Sequence, residues 1–117
     1  MNIETYREYC LSKKEVTESF PFDETTLVMK VLNKMFALTD LEDEFKISLK
    51  CDPEKAVELR ESYDFIVPAW HFNKKHWNTI IISDSISDRF IKELIDHSYD
   101  IVISKMTKKD QKRISEL

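Results

Sequence analysis

Residues 25–39 read TTLVMKVLNKMFALT, and this stretch decides the fold. Two runs rich in β-branched and apolar residues, 25–32 and 34–39, lie on either side of Asn33. Asparagine tolerates the left-handed backbone conformation that a tight hairpin turn requires. The pattern therefore predicts two antiparallel strands joined at Asn33, in a chain that contains no glycine.

The segments on either side of the hairpin alternate between helical and extended patterns. Asn2 is placed to cap a first helix over residues 3–14. Residues 20–22, Phe-Pro-Phe, follow as an extended and partly buried connection, since proline disfavours helix in the residue before it. Residues 45–50 alternate between apolar and polar, which is typical of a strand with one wet face. Residues 52–54, Asp-Pro-Glu, then begin a second helix.

The C-terminal half of the chain adds two strands and a long helix. Residues 66–71 and 77–83 have strand character. Ser87 is placed to cap a last helix, whose apolar stripe continues to Met106. Residues 107–117 are polar and form either a frayed continuation or a short separate turn.

This order, α-β-β-β-α-β-β-α, predicts an α+β fold in two layers. A length of 117 residues is that of one domain, which we expect to span residues 1–117. Short links favour antiparallel pairing, so we expect one antiparallel sheet with helices on one face. The other face would carry Lys30, Lys46, Ser48 and Lys50 toward water or a partner.

Composition limits the class of protein. The chain is 42% hydrophobic and 34% charged, which is typical of a globular protein. It has no run near the roughly 20 apolar residues that cross a bilayer, and its N-terminus lacks a secretory signal. We therefore expect a cytoplasmic protein with no membrane partner. Without glycine, the usual P-loop, dinucleotide turn and nucleophile elbow are excluded, which favours a non-enzymatic protein without cofactor or catalytic residues.

A second informative stretch is the acid-free window 65–83, FIVPAWHFNKKHWNTIIIS. Basic and aromatic side chains at this density suit an anionic or flat ligand, such as phosphates or bases. Its lysines could contact phosphates, its asparagines could donate to base edges or backbone, and a tryptophan could stack. Alternatively, both tryptophans are core residues and the polar residues only turn the chain. The candidate nucleic-acid-binding residues are Trp70, His71, Asn73, Lys74, Lys75, His76, Trp77 and Asn78, extended by Lys30, Lys46 and Lys50 of the sheet face.

Other candidate sites have simpler interpretations. The two histidines of the window lack a nearby acid or thiol, so no metal site is expected. Cys51 precedes a helix N-terminus, which could activate its thiol. However, Cys51 continues the apolar phase of its strand, which favours burial. The acids at 40–44 could form a cation site, but their spacing does not match an EF-hand loop, so a solvated link is expected. The basic residues at 105–113 could reach phosphates, but a solubilising end is expected.

Three stretches together resemble one known family. They are FPFDETTLVMKVLNKMFAL (20–38), LKCDPEKA (49–56) and HFNKKHWNTI (71–80). This combination resembles the MmcQ/YjbR family of small bacterial proteins. The resemblance implies a compact fold similar to that of type III secretion chaperones, and a DNA-binding function. The chain departs from the family pattern at Asn33, Ala69 and Asp84, where glycine is common.

Three functional hypotheses follow. The first is weak, salt-dependent DNA binding through residues 71–78 and the open sheet face. The second is a protein-interaction or chaperone-like role through the same face, as a monomer or homodimer. The third is a small-ligand pocket between the helices and the sheet, lined by Trp70 and His71.

Overall fold

A computed structural model of the chain describes residues 1–69 and 72–116. Its strands form one antiparallel sheet in the order β1-β2-β3-β4-β6-β5. The α+β class and the antiparallel sheet are therefore confirmed. In chain order the elements are α1 (Ile3–Leu11), β1 (Val16–Ser19), β2 (Thr26–Val31), β3 (Lys34–Asp40), β4 (Lys46–Lys50), α2 (Pro53–Ser62), β5 (Ile66–Pro68), β6 (Trp77–Ile81), α3 (Asp88–Ser104) and α4 (Lys108–Ser115).

The predicted hairpin is present at Asn33. Val31 pairs with Lys34, which leaves a two-residue turn. Leu32 and Asn33 have φ angles of 45° and 67°, and positive φ at both central residues defines a type I′ turn. Leucine is unusual in this conformation, which costs an L-residue other than glycine roughly 1–2 kcal/mol.

Side-chain caps begin the helices where the sequence predicts them. The Asn2 side chain accepts a hydrogen bond from the Thr5 backbone N–H (2.9 Å). Asp52 and Ser87 cap α2 and α3 in the same way. Two helix ends differ from the prediction, because α1 stops at Leu11 and α3 stops at Ser104. The polar tail is a separate helix, α4, with its own cap at Thr107.

Residues 16–22 differ from what the sequence predicts. β1 was not predicted, because it has only four residues and is recognisable mainly by its pairing with β2. Phe20 and Phe22 are 47% and 59% exposed, whereas a partly buried connection was expected. They lie beyond the end of β1, in a link that runs past the edge of the main core.

The main core lies between the helices and one face of the sheet. Tyr6, Met29 and Ile47 are fully buried there. A register shift between Met29 and Lys30 makes Phe36 an extra residue in β3, so Phe36 and Ala37 both contribute to this core.

The opposite face of the sheet has a smaller apolar cluster, so it is not wholly open. Val28, Leu38, Ala69 and Trp77 are buried in it, and Met35 and Phe72 pack against them. The centroids of the Phe72 and Trp77 rings are 5.4 Å apart. Residues of the β5–β6 link thus cover the centre of the face that was predicted to be free.

Candidate nucleic-acid interface

The link between β5 and β6 holds two lysines at the surface. Asn73 folds this link: its side-chain oxygen accepts from the Lys75 N–H (3.0 Å), and its carbonyl accepts from the N–H groups of His76 and Trp77 (3.0 Å each). This is an Asx turn of the kind that asparagine favours. Asn73, Lys74 and Lys75 are exposed, as the binding hypothesis requires.

Arg60 of α2 fixes this link from the helix side of the sheet. Its guanidinium donates to the Lys74 carbonyl (3.0 Å) and to the Asn78 side-chain oxygen (2.8 Å). The Asn78 amide nitrogen donates to the Ala56 carbonyl (3.2 Å). Asn78 is only 2% exposed, so the expectation that it donates to base edges is wrong. It joins α2 to β6 instead.

Two aromatic candidates of the window are buried or half-buried in the described structure. Trp77 is 7% exposed and packs in the smaller apolar cluster. The alternative that this tryptophan is a core residue is therefore confirmed, and it is not available to stack on a base. His76 is half-buried, and its backbone carbonyl accepts from the Cys51 N–H (2.7 Å). Trp70 and His71 lie outside the described residues.

The lysines of the sheet face differ strongly in their surroundings. Lys46 forms ion pairs with Asp43 (2.9 Å) and Glu44 (3.8 Å). Its hydrogen bond to Asp43 raises the pKa of Lys46. Lys46 therefore does not join the basic surface that was predicted.

Lys50 lies at the other end of the same strand, and its charged neighbours are cations instead of carboxylates. Burial lowers the pKa of Lys50, and the positive charges of Lys105 and Lys34 lower it further. Lys30 is half-buried on the same face, where it pairs with Met35.

These contrasts reflect a separation of charge between the two ends of the sheet. At one end, the Leu32 N–H donates to the Glu15 carbonyl (3.4 Å), and the Tyr99 hydroxyl donates to the Lys14 carbonyl (2.6 Å). At the same end the Cys51 N–H donates to the His76 carbonyl (2.7 Å), and the charges of Lys105 and Lys34 act on Lys50. The links that follow α1, β2 and β5 and the C-terminus of α3 therefore meet there. We call this the basic end, and its lysines are Lys14, Lys34, Lys50, Lys74, Lys75 and Lys105.

The basic end has few neutralising carboxylates. Within residues 1–69 and 72–116, Lys14, Lys34, Lys75 and Lys105 have no carboxylate oxygen within 4.0 Å. The nearby Glu15 pairs with Arg113 of α4 (3.3 Å). Residues of the acid-free window thus form only part of a wider basic surface.

The acidic end lies at the opposite ends of the strands. There the Leu41 N–H donates to the Thr25 carbonyl (2.9 Å), which brings the links 20–25 and 40–45 together. These links contain six acids and no lysine or arginine. The acids are Asp23, Glu24, Asp40, Glu42, Asp43 and Glu44.

Sequence reasoning missed Lys14, Lys34 and Lys105 as members of the basic end. They are far apart in the chain, and only the strand order brings them together. The predicted strand order could have suggested this grouping, since the links between consecutive antiparallel strands lie alternately at the two ends of a sheet.

Trp70 and His71, which were predicted to line a ligand pocket between the helices and the sheet, lie outside the described residues. Among the described residues, one part of the space between the helices and the sheet is nearly filled. A void of about 10 Å³ lies there, next to Cys51, Leu59 and His97. A void of this size holds about one water molecule. Across residues 1–69 and 72–116, no three or more His, Cys, Asp or Glu side chains are grouped in a way that could hold a metal ion. Nor do the described helices include one with the length and apolar character to span a membrane.

Both thiols are buried, and this leads to the first prediction. Burial raises the pKa of Cys51 to about 11 and that of Cys10 to about 12. At pH 8 roughly one Cys51 thiol in a thousand would be ionised, and the thiolate is the reactive form. We expect a thiol-specific reagent to label the folded protein at least about 100-fold more slowly than the denatured protein. Rapid labelling of one thiol per folded chain would contradict this.

The sequence of this chain is similar to those of several known proteins. The YjbR family model matches residues 11–101. The uncharacterised protein YbdF of Escherichia coli O157:H7 is 34% identical over 112 residues, which cover 95% of this chain and 92% of YbdF. The uncharacterised protein YjbR of Escherichia coli strain K12 is 30% identical over 118 residues, with full coverage of both chains.

Two solved structures have a similar fold. The crystal structure of Deinococcus radiodurans protein DR2400, a DUF419 domain, has a TM-score of 0.90 and 38% identity, and covers 97% of this chain and 88% of that one. A Pseudomonas syringae protein has a TM-score of 0.74 and 25% identity, with 86% and 98% coverage. Because the family model and both relatives align over most of its length, this chain belongs to the YjbR family.

Proposed function

We propose that this protein is a non-enzymatic module that binds nucleic acid weakly through the phosphates, using its basic end. The separation of charge carries the proposal: exposed lysines gather at one end of a chain whose net charge is −4. Phosphate contacts supply most of the affinity in non-specific binding. The acids of the opposite end would face away from the nucleic acid.

The spacing of the lysines suits contact with the phosphate backbone of a nucleic acid. Lys34 begins β3, Lys50 ends β4 and Lys75 precedes β6, and these three strands are neighbours in the sheet. Neighbouring strands are about 4.8 Å apart, so the row extends roughly 10 Å across the end of the sheet. Lys74 and Lys105 flank this row. Flexible lysine side chains can adjust to phosphates over such a distance.

Little sequence preference is expected. Direct readout needs polar side chains that reach base edges, and stacking needs an exposed ring. Asn78 and Trp77 are buried, which removes one candidate for each task. The lysines would contact phosphates, and such contacts carry no base information.

The second prediction tests this proposal by salt titration. We expect a short labelled duplex of random sequence to bind with a log–log salt slope of about −4, as for about four or five phosphate contacts. The triple variant Lys34→Ala, Lys75→Ala, Lys105→Ala should lose about tenfold or more in affinity, and its slope should be less steep by about 3. Fluorescence anisotropy over a salt series measures both quantities.

A matched triple variant separates the basic end from net charge. Lys46→Ala, Arg89→Ala and Lys92→Ala remove the same charge away from the basic end, and Lys46 is already paired with Asp43. This control should bind nearly as tightly as the natural sequence. Equal losses in the two triple variants, or no binding at the lowest salt concentration, would refute the proposal.

The sheet-face alternative has less support in the described residues. A protein-interaction face needs exposed apolar area. Here Val28 and Leu38 are 0% and 7% exposed, because the β5–β6 link packs over them. The exposed apolar residues lie elsewhere.

A further inference from the structure

Three exposed apolar side chains lie on two adjacent links at the acidic end. Phe20, Phe22 and Leu41 are 47%, 59% and 47% exposed. The hydrogen bond from the Leu41 N–H to the Thr25 carbonyl (2.9 Å) holds their two links side by side. Large side chains left in water on adjacent links are typical of an interaction surface.

A groove begins at the same place. It has a volume of about 400 Å³ and is lined by Leu41 together with Ile3, Phe45 and Ile82. The amino group of Met1, which also lines it, is already paired with Asp88 (2.8 Å). Leu41 belongs both to the groove lining and to the exposed apolar side chains, so the groove and the links at the acidic end are neighbours.

The charge around this surface is negative. Asp40, Asp43 and Asp84 line the groove. Lys46 neutralises part of this charge through Asp43 and Glu44. Asp40, Glu42 and Asp84 are exposed and, among the described residues, have no lysine or arginine nitrogen within 4.0 Å.

We propose that the acidic end is a docking surface for a segment of a partner protein that carries both lysine or arginine and large apolar side chains. Apolar side chains of the segment enter the groove and contact Phe22 and Leu41, while its cations pair with the carboxylates at the rim. Complementary charge steers such a partner and excludes acidic ones. The surface is independent of the basic end, since the two lie at opposite ends of the strands.

A labelled peptide with the repeat Lys-Phe-Lys-Leu tests this proposal. We expect it to bind in a salt-sensitive manner. Two peptides of equal length should bind at least about tenfold more weakly: one with glutamate in place of lysine, and one with serine in place of phenylalanine and leucine. If the lysine–serine peptide binds as tightly as the first, the surface is only an acidic patch and the proposal fails.

Matched variants locate the binding. Phe22→Ser with Leu41→Ser should weaken the first peptide about tenfold or more, as expected for loss of apolar anchors. Leu11→Ser with Val57→Ser removes apolar side chains that are 38% and 43% exposed elsewhere, and should have little effect. Circular dichroism checks that each variant folds.

Three results would overturn the proposal. These are equal losses in the two double variants, no binding of the first peptide at low salt, and self-association that disappears in the Phe22→Ser, Leu41→Ser variant. The last result would assign the surface to a second copy of this chain. The lysine triple variant of the basic end should bind the peptide normally, which keeps this test separate from that of nucleic-acid binding.

Discussion

Replacement of Ser98 by alanine is expected to lower the free energy of unfolding by about 2–4 kcal/mol. Ser98 lies on α3 and is 0% exposed. Its hydroxyl donates to the Phe36 carbonyl and accepts from the Lys50 N–H (2.9 Å). It therefore bridges β3 and β4 at the point where they no longer pair directly. Alanine would leave a buried carbonyl and a buried N–H without partners, and urea unfolding measures the loss.

Ser104 provides a matched control on the same helix. Ser104 is exposed, and its hydroxyl donates to the Ile101 carbonyl within its own helix (2.7 Å). Ser104→Ala should change stability by no more than about 0.5 kcal/mol. If Ser98→Ala is no more destabilising than this control, the hydroxyl is not the connection between the two strands that the structure indicates.

Ser98 also illustrates what the sequence could not predict. The turn at Asn33 and the caps at Asn2, Asp52 and Ser87 were predictable because each depends on residues only a few positions apart in the sequence. A serine on an apolar helix face has no such local signature. Its role depends on Phe36 and Lys50, and these are brought to it only by the folded sheet.

The same distinction explains the errors in the sheet. β1 is short and mostly polar, and its identity depends on pairing with β2. The bulge at Met29 and Lys30 shifts the alternation, so that Phe36 and Ala37 both face the helices. Simple alternation assigns neighbouring residues to opposite faces, and nothing in the local pattern marks the shift.

At the candidate site, composition predicted the lysines of the acid-free window, and only the strand order brings the other lysines of the basic end to them. The acid-free window correctly indicated Lys74 and Lys75 as exposed. It could not show that Trp77 is buried. Alternation placed Lys46 and Lys50 on one face, but they lie at opposite ends of β4, among opposite charges.

The contacts of Arg60 and Asn78 give the last prediction, which couples stability to binding. Asn78→Leu should lower the free energy of unfolding by about 2–3 kcal/mol, because the Ala56 carbonyl and the Arg60 guanidinium lose their buried partner. Arg60→Met should cost less, since the guanidinium is only partly buried. The double variant should cost less than the sum of the two by about 1 kcal/mol, because both single changes break the same bond.

Arg60 should also matter for nucleic-acid binding, although it need not contact the ligand. Its hydrogen bond to the Lys74 carbonyl (3.0 Å) holds the link that presents Lys74 and Lys75. Arg89→Met removes an equal charge from a side chain that is 91% exposed. If Arg60 positions the link, Arg60→Met should weaken duplex binding more than Arg89→Met does, with the added loss persisting at higher salt. If Arg60→Met and Arg89→Met lose equal binding affinity, Arg60 contributes only charge. In the unfolding experiment, a double variant whose loss equals the sum of the two single losses would show that the bond between Arg60 and Asn78 contributes nothing to the fold.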